Sequence, residues 1–134
     1  MESSRSVRFA PTSWTWFNRP MTVPQLSLRI DLPNDTRFGP GKAALLSTLL
    51  ETGSIRAAAE RMEMSYPRAL KLIEQMNESF ADILVETKHG GADGGGAQVT
   101  KRGRDVLRLY HAICDAADAS CAPAFEQLKQ HIRD

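Results

Sequence analysis

The chain has 134 residues, 42% of them hydrophobic and 25% charged, with a formal net charge of +1. That length holds one domain with a real core rather than two, and no apolar run is long enough to span a bilayer. A charge so close to zero gives no global attraction to nucleic acid, so any such role must come from local placement of cations. The two cysteines, Cys114 and Cys121, are too few for a disulfide framework and lack the partner pair of a zinc site, which points to a reducing compartment.

Residues 1–24 are rich in Ser, Arg, Pro and Thr around Trp14, Trp16 and Phe17, with neither helical nor alternating periodicity. A disordered extension is expected there. It lacks the apolar stretch and cleavage site of a secretory signal, so a cytoplasmic location is expected. Met21 offers an alternative start to Met1. If the extension is native, Arg5, Arg8 and Arg19 beside the aromatics have the chemistry of a minor-groove arm.

Residues 25–134 read as one domain. Gln25 to Leu32 alternates Leu26, Leu28, Ile30 and Leu32 with polar residues, the period of a half-buried strand. Pro33, Asn34 and Asp35 open a turn that Phe38 to Gly41 prolongs, and Lys42 begins a helix carrying Leu45, Leu46, Leu49 and Leu50 until Gly53 stops it. Ser54 is placed to cap a second helix with Ile55, Ala58 and Met62 on its inner face. Glu63, Met64 and Ser65 connect it to a third, with Ser65 as cap and Pro67 in the first turn, where a missing N–H matters little. In that helix Ala69, Leu72, Ile73, Met76 and Phe80 form the apolar stripe. Arg68, Lys71 and Gln75 fall on the opposite side. Two short helices locked by small apolar residues, with a polar outer face at the second one's N-terminus, describe a helix-turn-helix.

Beyond it, Ile83 to Lys88 has strand character, and Gln98 to Thr100 can return from the loop HGGADGGGA at residues 89–97. A glycine-rich hairpin directly after a recognition helix has the position of a wing, whose main-chain N–H groups suit phosphates. No GK[ST] follows the glycines, which excludes a P-loop. Thr100 can cap a long helix with a seam at Leu107, Tyr110, Cys114, Ala117, Cys121, Ala124 and Leu128, the spacing of a helix-helix contact. Pro123 predicts a break near Ala122 and a short final helix from Ala124 to Ile132. The fold class is therefore α+β: a winged helix-turn-helix with an N-terminal strand, a wing hairpin and a long C-terminal helix serving dimerisation.

The residues expected to meet duplex DNA follow from that pose. Arg68 suits a bidentate contact to guanine, and Gln75 can read a base edge. Ser65, Tyr66, Lys71 and Arg56 are candidates for the backbone, with Arg61 as a further helix cation. Lys88, Lys101 and Arg102 flank the wing and suit phosphates. Glu74 and Glu78 repel phosphate, so the N-terminal half of the helix is the half expected to enter the groove. His111, Cys114, Asp115 and Cys121 share one helix, but cysteines on an apolar seam read as small core residues rather than as a metal or thiol sensor. No catalytic constellation, metal site or cofactor is expected. The competing reading is a protein-interaction module that keeps the fold and binds DNA weakly, suggested by the small net charge.

These residues resemble the N-terminal DNA-binding domain of the molybdate-responsive, LysR-related ModE-type regulators. The shared words are GSI at Gly53, MSY at Met64 with Arg68 and Ala69 after it, EQMN at Glu74, ILVET at Ile83, the glycines of the loop, and Thr100, Gly103 and LY at Leu109. They fall in order over residues 25–115. The resemblance implies a homodimeric winged-helix DNA binder. Pro67 stands where family members often carry a basic residue, which suggests altered specificity. Family members continue into molybdate-binding domains, which have no counterpart here before Asp134, so molybdate binding is not expected of this chain.

Overall fold

The computed structural model describes residues 24–88 and 96–133. It begins with a short antiparallel hairpin, β1 (Ile30–Leu32) and β2 (Thr36–Phe38), paired from Ile30 opposite Phe38 to Leu32 opposite Thr36. Pro33, Asn34 and Asp35 form the connection, and Asp35 closes it with φ at 60°, the left-handed residue that three-residue hairpin loops require. The alternation of Gln25–Leu32 predicts a longer strand than forms. Pairing is limited by the partner, three residues lying inside the segment whose composition marks a turn. The Leu28 carbonyl instead accepts a hydrogen bond from the Tyr110 hydroxyl at 2.7 Å.

Helix α1 (Pro40–Thr52) starts two residues before Lys42, because Pro40 sits in its first turn and needs no N–H partner there. It is buried nearly all round: Ala43, Ala44, Leu45, Leu46, Thr48 and Leu49 are all inaccessible. A helix without a solvated face is a central one, and α1 touches every other helix as well as β2 and the returning wing strand. Thr48 satisfies its buried hydroxyl on the Ala44 carbonyl, and Lys42, largely buried, reaches the Arg37 carbonyl at 2.7 Å. Gly53 ends the helix at φ 68°, in the left-handed conformation glycine adopts freely.

Helices α2 (Ile55–Arg61) and α3 (Tyr66–Ser79) follow. Ser54 caps α2 by accepting from Ala57 N–H at 3.0 Å, and Ser65 caps α3 by accepting from Arg68 N–H at 3.2 Å. Between them, Met64 N–H bonds the Ala59 carbonyl and Glu63 N–H the Glu60 carbonyl, with Glu63 at φ 58°. This is a Schellman stop with glutamate in glycine's usual position. Ile55, Ala58 and Met62 on α2 and Ala69, Ile73 and Met76 on α3 enter the core, whereas Leu72 and Phe80 are only partly covered. Phe80 lies just past α3 and meets Phe38 edge-on at 6.1 Å, and Phe38 in turn meets Tyr110 at 5.2 Å.

Strands β3 (Val85–Thr87) and β4 (Ala97–Val99) form the second two-stranded antiparallel sheet, shorter at β3 than the Ile83–Lys88 run predicts and shifted by one residue at β4. Thr100 leaves the sheet to become the cap of α4 (Lys101–Lys129). Its hydroxyl accepts from Gly103 N–H at 3.0 Å and donates to the Ile83 carbonyl at 2.8 Å.

Pro123 does not break α4, which runs unbroken to Lys129. Proline's missing N–H frees the carbonyl four residues earlier, at Ala119, and this stretch is exposed, so water can satisfy that carbonyl. The predicted seam divides in two. Leu107, Tyr110 and Cys114 are buried in the domain's own core, Ala117 is half-covered, and Cys121, Ala124 and Leu128 are exposed.

Candidate nucleic-acid interface

The outer face of α3 is set by its cap and its stripe. Once Ala69, Ile73 and Met76 face inward, a helical period of 3.6 turns Arg68, Lys71, Glu74, Gln75 and Glu78 outward. Pro67, Leu70, Lys71, Glu74, Gln75 and Glu78 line a shallow depression along this face. Its N-terminal half carries Arg68 and Lys71, its C-terminal half Glu74 and Glu78. Ser65 uses its oxygen as the cap acceptor, yet its O–H can still donate to a phosphate.

Helix α2 contributes Arg56, whose guanidinium lies over the Tyr66 ring at 5.8 Å from the centroid. A cation at that distance is attracted to the ring face. The contact joins the first turn of α2 to the first turn of α3. Arg61, by contrast, is held by Glu51 of α1 at 2.7 Å.

The wing stem is anchored at both ends. At its base the Asn77 side chain of α3 accepts from Leu84 N–H at 2.8 Å and from Val85 N–H at 3.1 Å, and donates to the Val85 carbonyl at 3.0 Å. Toward the tip, Ala97 N–H bonds the Gly53 carbonyl at 3.1 Å, at the corner between α1 and α2, and Lys88 N–H bonds Gly96 at 2.9 Å. Lys88 thus stands at the end of the stem toward the tip, on the strand side away from Gly53, with β4 between them. The predicted phosphate-binding tip itself, residues 89–95, lies outside the described residues, as do residues 1–23.

Lys101 and Arg102 occupy the other end. Arg102 pairs with Asp82 at 2.6 Å, just beyond the C-terminus of α3, and Lys101 pairs with Asp105 at 3.2 Å. Since α3 has 14 residues, these two cations stand roughly 20 Å from Ser65 along its axis. Arg56, Arg68, Lys71 and Lys88 make no ion pair with any carboxylate among the described residues. The structure thus gathers Arg56, Ser65, Tyr66, Arg68 and Lys71 at one end of the helix-turn-helix, while Lys88 stands on the wing stem opposite Gly96. Gln75 sits one turn beyond Lys71. Asn77 is the residue that sequence reasoning passes over. The available signal is an amide-bearing residue beside Met76, at the edge of the apolar stripe.

Residues 42–104 match the family described as bacterial regulatory helix-turn-helix protein, lysR family. Fold and match together define the class: this is a winged helix-turn-helix domain of a DNA-binding kind. The chain is 37% identical over 105 residues to the transcriptional regulator ModE of Yersinia pestis, covering 78% of this chain and 38% of that one. It is 37% identical over 91 residues to the molybdenum-pterin-binding protein MopB of Rhodobacter capsulatus, covering 68% and 33%. With the DNA-binding transcriptional dual regulator ModE of Escherichia coli K12 it shares 34% over 89 residues, covering 66% and 34%. The domain is a DNA-binding domain of the ModE type, and the chain spans about a third of the length of these curated relatives.

Proposed function

We propose that this chain is a transcriptional regulator that recognises an operator in duplex DNA through α3, as a homodimer. The observation that carries the reading is the separation of charge. Among the described residues Arg56, Arg68 and Lys71 group where α3 begins and pair with no carboxylate, as is also true of Lys88 on the wing stem and of Arg37 and Arg104 elsewhere, whereas Arg61, Lys101 and Arg102 are paired with Glu51, Asp105 and Asp82. A net charge of +1 is compatible with DNA binding when its cations are grouped in this way. Arg68 reads a base edge, Gln75 follows one turn deeper, and Ser65, Tyr66, Arg56, Lys71 and Lys88 hold phosphates. Such a protein works in the compartment that holds the chromosome, the cytoplasm.

The homodimer reading is supported by exposed apolar side chains on α4. Leu109 and Ile113 are about half exposed, at 51% and 47%, and Ala112, Ala116 and Ser120 continue the same exposed face with small side chains. Leu109, Ile113, Ala116 and Ser120 follow at spacings of four, three and four, which suit a helix pair about a two-fold axis, and this stripe lies beside the seam that the core takes up. A two-fold dimer also presents two recognition helices to a palindromic site.

Selection of bound fragments from genomic or random DNA tests the reading. Enrichment of one inverted repeat supports it. Recovery of fragments with no shared sequence overturns it in favour of a module without operator specificity.

A further inference from the structure

We propose that Asn77 is a positioning residue that fixes the wing's angle to the recognition helix, so that base reading and phosphate binding act as one rigid unit. The inference rests on the operator-binding reading above and deepens it. Asn77 touches no DNA in that pose, since it faces the domain from α3 and acts only through β3.

The hydrogen bonds carry the argument. A single half-buried carboxamide satisfies two consecutive amides, Leu84 and Val85, and the Val85 carbonyl, and its donor and acceptor ends match those partners in one orientation only. Of the four groups the strand offers at its start, only the Leu84 carbonyl is bonded elsewhere, to Thr100 N–H at 2.9 Å. Among the described residues the hairpin has two strands of three residues and no third strand beside them, and a two-stranded hairpin alone is marginal in water. The returning strand is fixed to the core by the Ala97 to Gly53 bond, by Arg104 on the Val99 carbonyl at 3.2 Å and by the burial of Ala97 and Val99, whereas the bonds that tie β3 to the recognition helix are those of Asn77. Lys88 lies three residues from Val85, so a tilt at the base moves the wing cation relative to Arg68. Wing and helix must reach phosphates and bases of one duplex together, and a linked pair of contacts loses its advantage when the geometry no longer fits.

The test uses the full chain and a selected operator duplex. Hydroxyl-radical footprints of wild type and Asn77→Ala are compared, together with affinity over a salt series. The expected result for Asn77→Ala is loss of protection at the phosphates flanking the core site, with protection of the core site retained. Affinity should fall about tenfold and the salt slope by about one to two. If Asn77→Ala fails to fold, Asn77→Asp is read instead: it keeps acceptors for both amides but sets a lone pair against the Val85 carbonyl. A purely structural role predicts a weaker footprint of unchanged extent, and that result overturns the proposal. Amide exchange without DNA gives a second readout, separable from operator binding. The Val85 amide, bonded to Asn77, and the Lys88 amide, which crosses the hairpin to Gly96, should exchange at least about tenfold faster in the variant while those of α1 hold their wild-type rates, and equal protection in both proteins overturns the proposal even if no operator exists.

Discussion

Glu63 holds φ at 58°, in the left-handed region where a side chain costs about 1 kcal/mol relative to glycine. Glu63→Gly should therefore raise stability by up to about 1 kcal/mol, visible as a melting temperature higher by roughly 4–8 °C. Gly103 shows the opposite constraint. A Cβ there would overlap the Leu84 carbonyl oxygen and come within 2.7 Å of Val99 Cγ1, so α4 approaches the wing base only because that atom is missing. Gly103→Ala should cost about 1–3 kcal/mol, read from denaturant midpoints, as overpacking does. Arg68 is exposed and has no carboxylate partner among the described residues, which leaves its guanidinium available to a base. Arg68→Ala should lose about 1–3 kcal/mol on the preferred operator and relax the preference at one base pair. Lys88→Ala should instead weaken all duplexes alike and reduce the salt slope by about one, with Lys101→Ala nearly silent because its charge is paired at the far end of α3.

At the scale of elements, most of the helix-turn-helix is legible in the chain. Ser54 and Ser65 announce both caps, and the buried positions of α2 and α3 recur at helical spacing. The glycine loop between two β-prone runs likewise marks a hairpin. What escapes is decided by tertiary contact. Thr36–Phe38 has the surroundings of a turn and becomes a strand because Phe38 is drawn into the cluster with Phe80 and Tyr110. The seam of α4 has the period of a helix contact, but periodicity does not say which partner covers it, and Leu107, Tyr110 and Cys114 are covered from within. For the same reason Lys101 and Arg102 are adjacent to the wing in sequence yet at its base in space. Pro123 is a local signal overridden by an exposed, continuous helix. Pro123→Ala should raise the helical circular dichroism signal and stabilise the distal part of α4 by up to about 3 kcal/mol, and an unchanged spectrum would speak against a helix continuous through that point. On the outer stripe, Leu109→Glu with Ile113→Glu should yield a monomer by sedimentation and keep the fold, since both side chains are about half exposed. A wild-type chain monomeric at tens of micromolar, about where weak dimers form, would remove the dimer from the account.

For the molecule as a whole, the account depends on where charge is left unbalanced. Seventeen basic and sixteen acidic side chains nearly cancel in the sum, but among the described residues ion pairs hold Arg61, Lys101 and Arg102, whereas Arg56, Arg68 and Lys71 at the start of the helix-turn-helix and Lys88 on the wing stem pair with no carboxylate. A domain with so small a net charge has weak non-specific attraction, so discrimination must come from the few side chains that reach the bases. The most direct measurement is titration of the wild-type chain against its selected operator and against a scrambled duplex of equal length and composition, over a salt series. The account predicts tighter binding to the operator by about a thousandfold or more, with similar salt slopes on both. Equal affinity for the two duplexes at every salt concentration would contradict it.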